Sequence, residues 1–308
     1  MKQIVIAGLL VCLAPLSRAH ADYPLICTPS NGPPTAVNVP GASGFDDACR
    51  AVAANAAFTG CIDGQGQRGA CPPGGPRSLT WDDIANNAAA STCGSYDWQG
   101  GQGQAPVGYI RGMAMKYADA VCRVRAGATG ATARIAGPLG DPSVDALAFY
   151  QANGTAMSNP LRDVYTLALG VGMRESSGNP TKGPDPNASD PTAETAEAGL
   201  FQTSHDAFNT DPVLAQLWTA YHATPQACTL DIFMQGSDDE GSDVVGTGAG
   251  ADFQTFTKQC PAFAVDYALV LLRVLRKHFG TVNDGQTEFR PECTAMFVQI
   301  ENTVTCPQ

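Results

Sequence analysis

The sequence predicts a mainly α-helical protein with a disulfide-rich N-terminal region. Three observations point there. Apolar residues recur at three- and four-residue spacing in several stretches between Trp81 and Val304, which is helical periodicity. No stretch alternates apolar and polar residues long enough to read as a convincing strand, so any sheet is minor. Ten cysteines follow the leader, and five of them (Cys27, Cys49, Cys61, Cys71, Cys93) fall before residue 105.

The first 21 residues read as a signal peptide. Lys2 gives the positive start, Ile4 to Leu16 the apolar core, and Ala19-His20-Ala21 a small-residue cleavage site before Asp22. The apolar run is too short to cross a bilayer, and no later run is long enough. The expected compartment is secreted or periplasmic. Cys12 goes with the leader, and the even number that remains reads as about five disulfides. No Cys-x-x-Cys pair exists and only His205, His222 and His278 follow the leader, so neither a metal nor another cofactor is expected.

Residues 22 to 44 are rich in Pro, Gly and Ser and read as an extended lead-in held by Cys27. Phe45 to Ala57 reads as a short helix with Asp46 and Asp47 in its first turn, where acids suit the dipole. Between Cys61 and Cys71 the run Gly64-Gln65-Gly66-Gln67-Arg68-Gly69 has dinucleotide-loop spacing. With no strand expected before it and no helix after, it reads as a disulfide-closed loop. Thr80 caps a helix that opens at Trp81, again with acids (Asp82, Asp83) in the first turn. The Gly/Gln-rich run from 94 to 106 is taken as the boundary between an N-terminal region (22 to 104) and the main domain (105 to 308). Tyr96 and Trp98 in it read as buried loop anchors before they read as sugar platforms.

Val107 to Arg125 reads as a long helix, 127 to 142 as a loop, and Ser143 to Gln151 as a short helix. Asn159 and Pro160 then open a helix whose apolar face is Leu161, Val164, Tyr165, Ala168, Leu169 and Gly172. Ser177-Gly178-Asn179-Pro180 stops it. Leu214 to His222 is helical, with Trp218 and Tyr221 in the core. The acidic, glycine-rich run 236 to 252 does not space Asp238, Glu240 and Asp243 as a calcium loop does, and reads as a solvated loop. Pro261 to Phe279 is a second strong helix with a basic end, and Pro291 to Val304 a last one between Cys293 and Cys306.

Glu175 is the residue with chemistry in view. It is a carboxylic acid on the last turn of an apolar helix, where the negative end of the dipole and partial burial both disfavour ionisation. An acid so placed stays protonated near neutral pH and can act as a general acid.

Two strings carry a family resemblance: Glu175-Ser176-Ser177-Gly178-Asn179-Pro180, and Ala198-Gly199-Leu200-Phe201-Gln202-Thr203-Ser204 downstream. Together they resemble the lysozyme-like superfamily, in particular lytic transglycosylases and goose-type lysozymes, over residues 159 to 204. The resemblance implies a lysozyme-like helical domain with Glu175 as the catalytic acid. It places Ser176, Gly199, Phe201, Gln202 and Ser204 along a sugar-binding cleft. The family's third motif, Ala-Tyr-Asn-Ala-Gly, is absent; the nearest string, Phe263-Ala264-Val265-Asp266-Tyr267-Ala268, shares its tyrosine and little else, and on that ground Tyr267 is a further substrate-binding candidate. A second carboxylate, if the reaction uses one, is sought among Glu197, Glu194 and Asp185 in that order. His205 lies just past the second motif and is a minor candidate.

The formal charge of −11 becomes more acidic once Lys2 and Arg18 leave with the signal peptide. An acidic chain without a basic stripe is not a nucleic-acid binder. The expectation is a secreted enzyme cleaving β-1,4-linked N-acetylhexosamine polymers such as peptidoglycan. The acidic surface favours neutral or cationic polymers, so chitinase or chitosanase activity is the first alternative. A secreted glycan-binding protein without turnover is the second. Serine- or cysteine-nucleophile chemistry has no Gly-x-Ser-x-Gly to support it.

Overall fold

The computed structural model describes residues 80–184, 191–241 and 243–306 in full, with the backbone of 23–29, 35–39, 58–63 and 68–69. The chain divides into two compact units, Met1–Ser78 and Leu79–Gln308. The sequence placed its boundary near 104. The division comes earlier because the 94–106 run is anchored within the second unit: Glu288 accepts from the Tyr96 hydroxyl at 2.7 Å and from the Gln99 amide at 2.8 Å.

In the first unit the extended lead-in is a sheet. Strand β1 (Tyr23–Pro29) pairs antiparallel with β2 (Thr35–Val39) and with β3 (Phe58–Asp63), and β3 pairs with β4 (Arg68–Gly69), in the order β2-β1-β3-β4. The strands are short, β1 carries two prolines, and its pairing with β3 is non-local, so the pattern is weak in sequence. The Gly64–Gly69 run therefore does follow a strand. Its last two residues, Arg68 and Gly69, return antiparallel to that strand as β4. The signal peptide, the 45–57 helix and the cysteine bridges expected in this region lie outside the described residues.

The second unit is mainly helical. Helix α1 (Trp81–Ala89) starts with a reciprocal cap in which the Asp83 amide donates to Thr80 Oγ1 and the Thr80 amide to Asp83 Oδ2. A two-stranded ribbon, β5 (Asp97–Trp98) and β6 (Gly103–Gln104), precedes α2 (Val107–Arg125). Trp98 is buried and Tyr96 packs edge-on against it, so both serve as loop anchors. Helix α3 (Gly130–Ala136) occupies a stretch read as loop, because its Ala/Gly/Thr composition carries almost no apolar period. Then come α4 (Ala146–Ala152), α5 (Pro160–Ser176), α6 (Pro212–Ala223) and the single turn α7 (Leu230–Phe233). Helix α8 (Ala249–Gln259) was also read partly as solvated loop. Its first turn carries a glycine because a Cβ at Gly250 would meet the Ala193 carbonyl at 2.2 Å.

Helix α9 (Pro261–Val274) is the axis of the core. Every residue from Pro261 to Arg273 is buried, the signature of a helix surrounded by others. It ends at Val274, short of Phe279, and a tight turn (Arg276–His278), α10 (Gly280–Asn283) and α11 (Pro291–Thr303) follow. Arg273 leaves this axis to donate to the carbonyls of Ile135, Gly137 and Pro138 and to both oxygens of Asp145. Asp145 itself caps α4 through the Leu147 amide.

Three disulfides lie among the described residues: Cys93–Cys293, Cys122–Cys306 and Cys228–Cys260. No described helix is long and apolar enough to cross a membrane.

Candidate active site

The site begins with how α5 starts and stops. Asn159 Oδ1 accepts from the Arg162 amide, and Asp163 Oδ2 accepts from the Ser158 and Asn159 amides at 2.7 and 2.9 Å. The body of the helix is buried. At the far end Ser177 adopts a left-handed conformation (φ 55°), its amide bonds Met173 O, and the Gly178 amide reaches back to Gly172 O. Glu175 is thereby held on the last ordered turn.

Glu175 is partly buried, with Thr281 Oγ1 donating to its Oε1 at 2.8 Å. Burial pushes the carboxyl above the usual range, while the Thr281 hydroxyl and the Arg174 charge limit the rise. This is the direction a general acid requires.

Glu175 and Ser176 line an open cleft of about 320 Å³. One wall is the 236–241 segment, docked on the loop after Glu175. Asn179 Nδ2 donates to Asp238 O and Glu240 Oε1, both at 3.0 Å, and the Glu240 amide donates to Thr181 Oγ1. Lys182 Nζ pairs with Glu240 Oε2 at 2.9 Å. The first part of the acidic run is therefore a structured wall, where the sequence suggested solvated loop. Gln102, from the Gly/Gln-rich run, reaches the cleft from the other side and accepts from Ser177 Oγ.

The second motif packs behind the first. Ser176 Oγ lies 2.7 Å from Leu200 O and 3.0 Å from Gly172 O. Gly199 has φ 77° with its amide on Lys182 O, and a Cβ there would press on Thr257. Gln202 is left-handed at φ 46°, and its side-chain amide donates to Gly199 O. Among the described residues, two of the three non-glycine residues with positive φ, Ser177 and Gln202, thus sit in the two motifs.

The other sequence-derived candidates fall away from the cleft lining. Phe201 and Tyr267 have no exposed surface, and the Tyr267 hydroxyl donates to Ser204 O at 3.2 Å. They support the motif from within. Ser204 is buried and donates to Asp206 Oδ1. Gly199 and Gln202 are likewise buried. Glu194 bonds His205 Nδ1, whose ring stacks on Phe208. Glu197 is partly buried and does not line the cleft, and Asp185 lies outside the described residues. Among the described residues, the acids that share the cleft with Glu175 are Asp238 and Glu240.

Sequence reading missed Thr281, Asn179, Lys182 and Gln102. Asn179 lies inside the first string, so its motif could have flagged it. Thr281 is 106 residues from Glu175 and carries no local signal. Among the described residues, no group of three His, Cys, Asp or Glu side chains is placed to hold a metal ion. No protein-family model matches this chain, and neither a curated protein nor a solved structure does.

Proposed function

We propose that this chain is a secreted enzyme that cleaves β-1,4 links in N-acetylhexosamine polymers such as peptidoglycan, with Glu175 as its general acid. The observation that carries the reading is Glu175 itself: a carboxyl raised by burial, on a rigid helix end, lining an open cleft. The tie from Ser176 to Leu200 supports it, since it joins the two strings that carry the lysozyme-like resemblance.

Glu175 gives its proton to the glycosidic oxygen as the bond to the anomeric carbon breaks. The substrate's own N-acetyl oxygen covers the developing positive charge, so one carboxylate suffices for this step. Glu175 leaves the step ionised, with Thr281 and Arg174 beside it. It then takes a proton from a water (hydrolysis) or from the sugar's own hydroxyl (intramolecular transfer).

The test is digestion of purified peptidoglycan, with chitin and chitosan oligomers in parallel, read by mass spectrometry. Glu175→Gln lowers turnover by about 10²- to 10⁴-fold, the range of a general acid. Products lighter by one water identify transfer. Asp238→Asn and Glu240→Gln in the same assay separate one-carboxylate from two-carboxylate routes. Failure of the wild type on every polymer, with binding retained, replaces the enzyme by a glycan-binding protein.

A further inference from the structure

We propose that Thr281 is the positioning residue that decides which oxygen of Glu175 carries the acid proton, and that Thr287 sets the direction of Thr281. The inference rests on Glu175 being the acid. It adds two residues, Thr281 in α10 and Thr287 just after it, that neither string contains.

The argument is a count of protons. A threonine hydroxyl has one hydrogen to donate and lone pairs to accept with. Thr287 Oγ1 donates to Thr281 Oγ1 at 3.2 Å, so Thr281 is the acceptor in that bond. Its own hydrogen is then directed to Glu175 Oε1, 2.8 Å away. An Oε1 that accepts this bond is not the oxygen that bears the acid proton. The neutral acid therefore holds its proton on Oε2, leaving that oxygen to protonate the substrate. After transfer, the Thr281 bond becomes charge-assisted and stabilises the carboxylate.

The two threonines are held by backbone as well as by each other. The amides of Gln286 and Thr287 both bond the Thr281 carbonyl, at 2.9 and 3.1 Å. The Thr287 carbonyl accepts from the Tyr150 hydroxyl at 2.8 Å, and Thr287 is buried. Gln286 Oε1 accepts from Arg174 Nη2 at 2.9 Å. The segment thus grips the last turn of α5 at two successive residues, Arg174 and Glu175. Among the described residues, the charged groups that line the cleft beside Glu175 are Arg174, Lys182, Asp238 and Glu240, and none changes in the variants below.

The experiment compares Thr281→Val, Thr281→Ser and Thr287→Val with the wild type. The first readout is the titration of the Glu175 carboxyl by carbon-13 NMR, its signal assigned by its loss in Glu175→Gln. The second is the pH profile of turnover on a polymer the wild type cleaves. Thr281→Val makes Glu175 titrate at higher pH and moves the alkaline limb of the profile the same way. It lowers kcat about tenfold, the worth of one hydrogen bond to a charged group, with KM unchanged. Thr281→Ser restores both readouts, and Thr287→Val shifts them in the same direction by less. A Glu175 titration unchanged in Thr281→Val, or not restored in Thr281→Ser, overturns the proposal. Should Thr281→Val not fold, an unchanged titration in Thr287→Val overturns it equally. A wild type that cleaves nothing removes the catalytic reading alone, since the titration still decides which way Thr281 acts on Glu175.

Discussion

The Ser176 hydroxyl lies 2.7 Å from the Leu200 carbonyl, and this contact joins the end of helix α5 to the second motif. It bridges 24 residues of sequence and buries both partners. The residue after the acid is thus a strut: it fixes where the helix end sits against the wall behind it. The same hydroxyl also lies within reach of Gly172 O, so it locks its own last turn.

Ser176→Ala should therefore do two things. Leaving a buried carbonyl without its donor costs about 1–3 kcal/mol, read as a lower urea midpoint with an unchanged slope. Turnover should fall at temperatures where the variant is fully folded, because the end of α5 is free to shift. A variant destabilised but fully active would limit Ser176 to a role in stability.

Glu175→Gln should stabilise the protein, and only on one side of the pH scale. A carboxyl whose folded pKa is raised contributes stability that is fully present below its unfolded pKa, near 4.3, and lost as pH rises through the folded value. Burial raises Glu175. Glutamine keeps an acceptor for Thr281 and carries no charge. Wild type and variant should melt together at pH 3.5 and separate at pH 8, with the variant higher. A variant that melts lower at pH 8 would mean that the ionised carboxylate is well accommodated.

The sequence disclosed the parts of this site that lie along one helix and hid those that meet it from elsewhere. Asn159, Pro160 and the apolar face up to Gly172 announced α5 because capping and periodicity are local. Glu175 could be placed at its end for the same reason. The wall at Asp238 and Glu240 was hidden, since an acidic, glycine-rich run has no local reason to be ordered. Its order comes from Asn179 and Thr181, almost 60 residues away. Phe201 and Tyr267 were legible as aromatic residues near the site but not as buried ones. Burial depends on tertiary neighbours, such as Phe253 of α8 against the Tyr267 ring, which spacing does not encode.

Asp145 and Arg273 form a buried pair whose loss should be severe. Arg273 ties the end of α3 and the start of α4 to the core axis, and Asp145 takes two backbone amides as well as the guanidinium. Asp145→Ala strands a buried cation and uncaps α4, which costs about 3–5 kcal/mol. Thermal melting checks it. A loss below about 1 kcal/mol would mean that water replaces the carboxylate, as it does for surface pairs.

The disulfides Cys93–Cys293 and Cys122–Cys306 should prove strongly coupled. Each closes a long loop, with separations of 200 and 184 residues. While one is intact, however, the other closes a ring of only about 40 residues through its partner, worth about 4 kcal/mol on the chain-entropy model. Removing both frees the full-length loop, so the joint cost should exceed the sum of the separate ones by about 1 kcal/mol. Urea unfolding of the two paired alanine variants and their combination measures it. Cys93 also precedes the loop that carries Gln102 to the cleft. The Cys93/Cys293 variant should therefore lose turnover before it loses its fold, whereas the Cys122/Cys306 variant should not. Equal losses of activity in the two would show that the loop is held by Glu288 alone.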